Sequence, residues 1–131
     1  MKSFLVLILL ALSAACESAP KLRVSGGNPA TFTASGTSLV FLEISRASEP
    51  NDDQHILWEI RNNFDGSENI RLQIVYGTVP GGFRQRIPDD GKQPAPLVTG
   101  SKYRYVAMGN TGAKIACFEI RDGKVAETDC N

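Results

Sequence analysis

The chain has 131 residues with 14 basic and 14 acidic side chains, so its formal net charge is zero. This length allows one ordinary domain and a short appendage, because domains usually contain about 100–200 residues. A neutral chain lacks the basic surplus that phosphate neutralisation requires, so nucleic acid is not expected as a partner. With 42% hydrophobic residues the chain can bury a core, and its odd count of three cysteines is an anomaly.

Residues 1–15 have the pattern of a secretory signal peptide. Lys2 precedes an unbroken apolar run from Phe4 to Leu12, and small residues follow at positions 13–15. The run is too short to span a bilayer, which needs about 20 residues, and fits the apolar region of a signal that is removed on export.

Cys16 directly follows these small residues, and the segment resembles a bacterial lipoprotein signal. In that family the cysteine becomes the first mature residue and its thiol carries fatty acyl chains such as palmitate. Ser13 departs from the pattern, which prefers leucine three positions before the cysteine. The same resemblance implies that Glu17, which stands after the cysteine in place of Asp, directs the protein to the periplasmic side of the outer membrane. The alternative is a conventional cut after Ala15, which gives a soluble periplasmic or secreted protein.

The remaining two cysteines, Cys117 and Cys130, form an even number in an oxidising compartment, which predicts one disulfide. A metal site would need further ligands, and His55 is the only histidine. We therefore expect no metal and no cofactor. Removing Lys2 with the signal leaves 13 basic and 14 acidic residues, a formal charge of −1.

The mature chain shows strand signals separated by turn residues. Residues 16–30, rich in Ser, Pro, Gly and Ala, predict a lipidated N-terminus and tether, followed by one domain over 31–131. Composition and alternation predict strands at Thr37–Ser45, His55–Arg61, Ile70–Tyr76 and Lys102–Met108. About seven strands with turns every 8–12 residues predict an all-β, antiparallel, Ig-like sandwich.

The C-terminal segment Lys114–Asp129 predicts a hairpin, because Asp122-Gly123 suits a two-residue type I′ turn. The disulfide then needs a bulge or a bend at the strand end, because diagonal neighbours lie about 7–8 Å apart. The turn fixes three pairs: Ile120 with Val125, Phe118 with Glu127, and Cys117 with Thr128.

Residues 97–105, LVTGSKYRY, resemble the turn between the E and F strands of fibronectin type III domains. The resemblance covers about residues 30–125. It implies that the Tyr103 hydroxyl bonds to backbone upstream, that Leu97 packs beneath it, and that Trp58 is the buried tryptophan of the sandwich.

Catalytic or metal-binding motifs are not evident. His55 follows the acidic loop Glu49–Asp53 without the context of a nucleophile elbow, and is interpreted as a solvated histidine. Asp52-Asp53 and Asp89-Asp90 lack the spacing of a calcium loop and are interpreted as turns.

The segment Tyr76–Ile87, YGTVPGGFRQRI, is the candidate binding site. An aromatic residue flanked by arginines on a loop is typical of an interface anchor, and the candidate residues are Tyr76, Phe83, Arg84 and Arg86. The alternative is a bulged edge strand whose Phe83 folds back into the core.

These patterns predict a non-enzymatic, membrane-tethered binding or structural module of the cell envelope, with a protein or glycan partner. The first alternative is a small periplasmic inhibitor of lytic enzymes such as lysozyme. Those inhibitors are also all-β with a disulfide, and Ser101-Lys102-Tyr103 is loosely similar to them. A hydrolase is the second alternative.

Overall fold

The computed structural model describes residues 20–35, 38–63, 71–110 and 112–131. Their regular structure is entirely β, which confirms the all-β antiparallel prediction, and within these ranges no helix is long and apolar enough to cross a membrane. The strands of the described residues are β1 (Lys21–Gly26), β2 (Ala30–Ser35), β3 (Leu39–Arg46), β4 (Ile56–Asn62), β5 (Leu72–Val75), β6 (Phe83–Ile87), β7 (Lys102–Gly109), β8 (Ala113–Arg121) and β9 (Lys124–Thr128).

Two antiparallel sheets enclose the core. The small sheet has the order β1-β2-β5, and the large sheet has the order β6-β4-β3-β7-β8-β9. Phe32 of the small sheet packs edge-to-face on Tyr105 and Phe118 of the large sheet, with ring centroids 5.7 Å apart in both pairs. Such aromatic pairs add to the stabilisation that comes from area burial alone.

The first strand corrects the predicted tether. Residues 21–26 were expected to belong to the tether, but they form β1, which pairs with β2 and places Leu22 opposite Ala34. Leu22 and Val24 are buried, whereas Lys21 and Arg23 are exposed. This period-two pattern is that of a half-buried strand. The folded domain therefore includes residues from about position 20 rather than 31.

The C-terminal hairpin has the predicted register. Asp122 and Gly123 have φ values of 50° and 73°, which is the left-handed conformation that a type I′ turn requires. Cys117 lies opposite Thr128, where β9 ends. The chain bends after this point and brings the Cys130 Cα to 5.1 Å from that of Cys117, and the predicted disulfide is formed.

Two aromatic residues lie where the sequence places them. The Val98 backbone N–H donates a hydrogen bond to the Tyr103 hydroxyl at 2.7 Å, and Leu97 is buried in the same core. Trp58 is fully buried, and its Nε1 donates to Gln85 Oε1 at 2.8 Å.

Candidate functional site

The second part of the segment proposed as a binding loop forms the edge strand β6. Phe83 lies opposite Asn62 of β4 and packs, half-buried, against the core. Arg84 and Arg86 are exposed, because alternation along the strand turns them away from the face that Phe83 shares with buried Gln85. Phe83 is therefore not exposed together with the two arginines, as an interface anchor would require, and the edge-strand alternative describes residues 83–87.

Tyr76 is also part of the core. Its ring lies 5.3 Å from that of Trp58 in an edge-to-face arrangement, and its hydroxyl donates to the Ala95 carbonyl at 2.7 Å. Because the side chain is buried, an interface has to be sought on other surfaces.

Gln85 was not singled out by the sequence, yet it organises the loop after β6. Besides accepting the Trp58 indole N–H, its amide donates to the carbonyls of Pro88 at 3.0 Å and Lys92 at 2.7 Å. A buried amide satisfied in this way stabilises an irregular loop that has few backbone partners of its own.

A cluster of charges occupies the outer face of the large sheet, on the side away from the core. Glu43 and Glu59 are directly opposed on β3 and β4. Glu59 is 0% exposed and accepts hydrogen bonds from Arg61 Nε at 3.0 Å and Arg86 Nη2 at 2.9 Å. Arg86 also reaches Asp53 at 3.2 Å. The cluster connects β3, β4, β6 and the loop before β4, which contains Asp53.

The two carboxyls of this cluster titrate in opposite directions. Burial and the hydrogen bond to Glu59 raise the pKa of Glu43 to about 7. Burial alone would also raise the pKa of Glu59, but hydrogen bonds from Arg86, Glu43 and Arg61 hold it below its usual range. At neutral pH the charge of Glu59 is therefore balanced inside the cluster, with both arginines engaged.

The same outer face carries an apolar row beside the cluster. Val106 lies opposite Glu43 on one side and Ile115 on the other, and Phe41 lies opposite Met108. Ile115 is 61% exposed. We call Phe41, Val106, Met108 and Ile115 the apolar row.

A cleft with a volume of about 690 Å³ lies at the start of β1. It is lined by Pro20, Lys21, Leu22, Arg23, Thr33, Ser35, Arg71, Lys114 and Glu127. Four of these residues are basic and one is acidic. We call Lys21, Arg23 and Arg71, which are all exposed, the basic rim.

The floor of the cleft is held by internal contacts. Lys114 Nζ donates to the Leu22 carbonyl at 2.6 Å and lies 3.7 Å from Glu127 Oε1. The Tyr105 hydroxyl donates to the same Glu127 oxygen at 2.8 Å. Lys114 and Glu127 therefore neutralise each other, and the positive charge of the cleft comes from its rim.

The remaining candidates lie on the surface or in the core. His55 Nδ1 is 2.6 Å from Asp52 Oδ1 in an exposed turn and lines neither cavity described here. Ser101 and Lys102 line a depression of about 310 Å³ together with Arg46 and Cys130, whereas Tyr103 is buried. Among the described residues, no group of three or more His, Cys, Asp or Glu side chains could hold a metal ion.

The lipidation candidate Cys16 lies outside the described residues. Comparison with protein-family models, with curated proteins and with solved structures finds no match to the chain.

Of these features, sequence reasoning missed the basic rim and the charge cluster. Lys21 and Arg23 alternate with two apolar residues, and this short pattern was the available signal for two of the three rim residues. Arg71 joins them through the pairing of β5 with β2 in the small sheet.

Proposed function

We propose that this chain is a lipoprotein of a bacterial cell envelope, anchored through Cys16 and acting as a non-enzymatic binding or structural module. The observation that carries the proposal is the bond between Cys117 and Cys130. It leaves Cys16 as the remaining cysteine, directly after the small residues that end the signal. Glu17 at the next position favours the periplasmic side of the outer membrane.

We infer further that the domain is of the fibronectin type III or Ig-like kind. The hydroxyl of Tyr103 accepts a hydrogen bond from backbone five residues upstream, at the corner before β7. A three-stranded sheet faces a larger one across a core that holds a buried tryptophan, Trp58. Both features support this type of sandwich.

The placement of the ionisable groups supports a role without catalysis. His55 is paired with Asp52 of its own turn and lies away from both cavities. The Glu59 carboxylate is fully buried beneath Arg61 and Arg86, so a substrate cannot reach it. A general acid or base must come within hydrogen-bond reach of the reacting group.

The apolar row is the surface that we assign to a partner. Ile115 is exposed on it, and the Arg61 guanidinium lies 5.3 Å from the Phe41 ring centroid at one end. Arg84 lies opposite Arg61 and is exposed. An apolar centre with arginines at its border suits an envelope protein that presents apolar and acidic side chains.

Membrane fractionation of a Cys16→Ser variant tests the anchor. The wild-type protein is expected in the membrane fraction and the variant in the soluble periplasmic fraction. Cys130→Ser, which removes a different cysteine, is the control and is expected to stay in the membrane. Unchanged membrane association of Cys16→Ser would contradict the proposal.

Photo-crosslinking in intact cells tests the binding surface. A photoreactive residue at Ile115 is expected to give a discrete crosslinked product. The control position is Val98, which is 56% exposed and lies in the loop before β7, away from the apolar row. Equal crosslinking at the two positions, or none at Ile115, would contradict the assignment.

Inhibition of a lytic enzyme is the second candidate, because Ser101 and Lys102 line the smaller depression beside Cys130. The purified protein would then reduce lysozyme activity, and Lys102→Ala would weaken that effect. Full lysozyme activity at saturating protein would exclude this function.

A further inference from the structure

We propose that the basic rim binds the phosphate headgroups of anionic phospholipids in the membrane that holds the anchor. The inference rests on the proposed anchoring at Cys16 and adds an orientation, in which the end of the sandwich where β1 begins faces the bilayer. The ligand chemistry is a phosphate ester at a lipid surface.

The chain leaves little room between the anchor and the cleft. Pro20 lines the cleft and is four residues from Cys16. An extended chain spans at most about 3.6 Å per residue, so the cleft lies within about 14 Å of the lipid-bearing residue. This follows from β1 starting at Lys21, where the sequence had predicted a tether that continues to residue 30.

The charge of the basic rim contrasts with the rest of the protein. The mature chain carries a formal charge of −1, yet the rim brings three positive side chains together. Within the part of the chain that the structure describes, no carboxylate lies within ion-pair distance of Lys21, Arg23 or Arg71. These cations are therefore available to an external anion.

Several basic side chains at other positions pair with carboxylates inside the protein. Arg61 and Arg86 pair with Glu59, and Lys92 lies 3.4 Å from Asp89. Lys114 pairs with Glu127 on the cleft floor. The basic rim differs from these paired cations, because its three side chains have no carboxylate partner among the described residues.

Hydroxyl groups accompany the cations of the rim. Lys21 lies opposite Ser35 and Arg23 lies opposite Thr33 on the neighbouring strand, and both hydroxyl residues line the cleft. A phosphate oxygen accepts hydrogen bonds from hydroxyls as well as from ammonium and guanidinium groups. The small sheet therefore offers both kinds of donor on the surface nearest the anchor.

The test measures vesicle binding of the Cys16→Ser chain, whose membrane association cannot arise from a lipid on that residue. The readout is the ratio of its partition onto phosphatidylcholine vesicles with and without added phosphatidylglycerol, at an ionic strength of about 0.1 M, where the Debye length is about 10 Å. Each basic side chain near an anionic surface contributes about 1 kcal/mol, which is a factor of about five. Adding Lys21→Ala and Arg23→Ala is expected to lower the ratio about 25-fold.

The matched control adds Lys92→Ala and Lys124→Ala, which remove the same charge from exposed positions outside the cleft. This control is expected to keep the ratio within about two-fold of the parent chain, because screening limits their reach to about a Debye length. Inorganic phosphate at constant ionic strength is expected to leave the ratio unchanged.

Equal losses in the two double variants would overturn the inference, and so would a ratio abolished by free phosphate. Because every protein in this experiment lacks Cys16, the result is independent of the fractionation of wild-type protein. A failed anchor and a failed headgroup contact are therefore distinguishable.

Discussion

Glu43 and Glu59 face each other across β3 and β4, and Glu59 is fully buried while Glu43 remains partly exposed. Like charges on directly opposed residues of neighbouring strands are ordinarily destabilising. Here Arg61 and Arg86 hydrogen-bond to Glu59, and the raised pKa of Glu43 lets it bind a proton near neutral pH. The pair is therefore a source of pH-dependent stability.

Replacing Glu43 by Gln should remove part of that pH dependence. The pKa of Glu43 rises from 4.5 to about 7 on folding. Its contribution to stability is therefore fully present below about pH 4.5 and is lost as the pH rises towards 7. Urea denaturation across this window should show a falling midpoint for the wild type and a flatter profile for Glu43→Gln.

Asp90→Asn, in an exposed loop, is the control for this series and should keep the wild-type slope. If the denaturation midpoints of the wild type and Glu43→Gln change in parallel with pH, the raised pKa of Glu43 in the folded protein would be contradicted. Glu59 has the opposite effect on stability. Because its pKa is lower in the folded protein, it contributes stability above about pH 4.5, and this contribution is lost as the pH falls below that value.

The disulfide should contribute substantially to stability. Cys117 and Cys130 are separated by 13 positions, and closing a loop of this size removes about 3 kcal/mol of unfolded-state entropy. Cys130→Ser should lower the free energy of unfolding in urea by about that amount. The reduced wild type should match the variant, and a variant as stable as the oxidised wild type would show that the bond is unimportant.

Phe83 should behave as a core residue. Because it is half-buried against the core, Phe83→Ala should lower the free energy of unfolding by about 2 kcal/mol, less than the roughly 3–5 kcal/mol of a fully buried phenylalanine. Arg84→Ala, the exposed neighbour, should change it by less than about 0.5 kcal/mol. Equal losses of unfolding free energy for Phe83→Ala and Arg84→Ala in denaturant titrations would contradict the packing of Phe83 against the core.

The Tyr103 hydroxyl should have a measurable structural role. Tyr103→Phe keeps the buried ring but leaves the Val98 N–H without its acceptor, which should cost about 1 kcal/mol of unfolding free energy. Val98→Ala retains the backbone donor and changes only an exposed side chain, so it serves as the comparison. A Tyr103→Phe variant as stable as the wild type would contradict a stabilising role for the Tyr103 hydroxyl.

The register of β8 and β9 can be predicted because a two-residue type I′ turn at Asp122-Gly123 permits one pairing. The observed pairs Ile120–Val125 and Phe118–Glu127 follow from it. β1 is harder to predict, because the alternation of Lys21 to Val24 is short and flanked by Ser, Pro and Gly. The pairing of β1 with β2 determines its conformation, and a local sequence pattern does not reveal such a tertiary contact.

The burial of Glu59 illustrates a second limit. Alternation along β4 correctly separates Glu59 from the core face of Trp58 and Ile60. Alternation does not predict that Glu59 is fully buried. The side chain that covers it is Arg86 of β6, which lies 27 positions later in the chain. Neighbours on adjacent strands depend on the topology of the sheet, which also brings Arg71 to Lys21 and Arg23 at the cleft.

The central claim is that the lipid on Cys16 places the start of β1 at the membrane. Mass spectrometry of the mature N-terminus tests it most directly. Trypsin cleavage after Lys21 should release the peptide 16–21, CESAPK, with a diacylglyceryl group on its cysteine. An unmodified peptide that starts at Cys16, or a peptide that retains the signal sequence, would contradict the account.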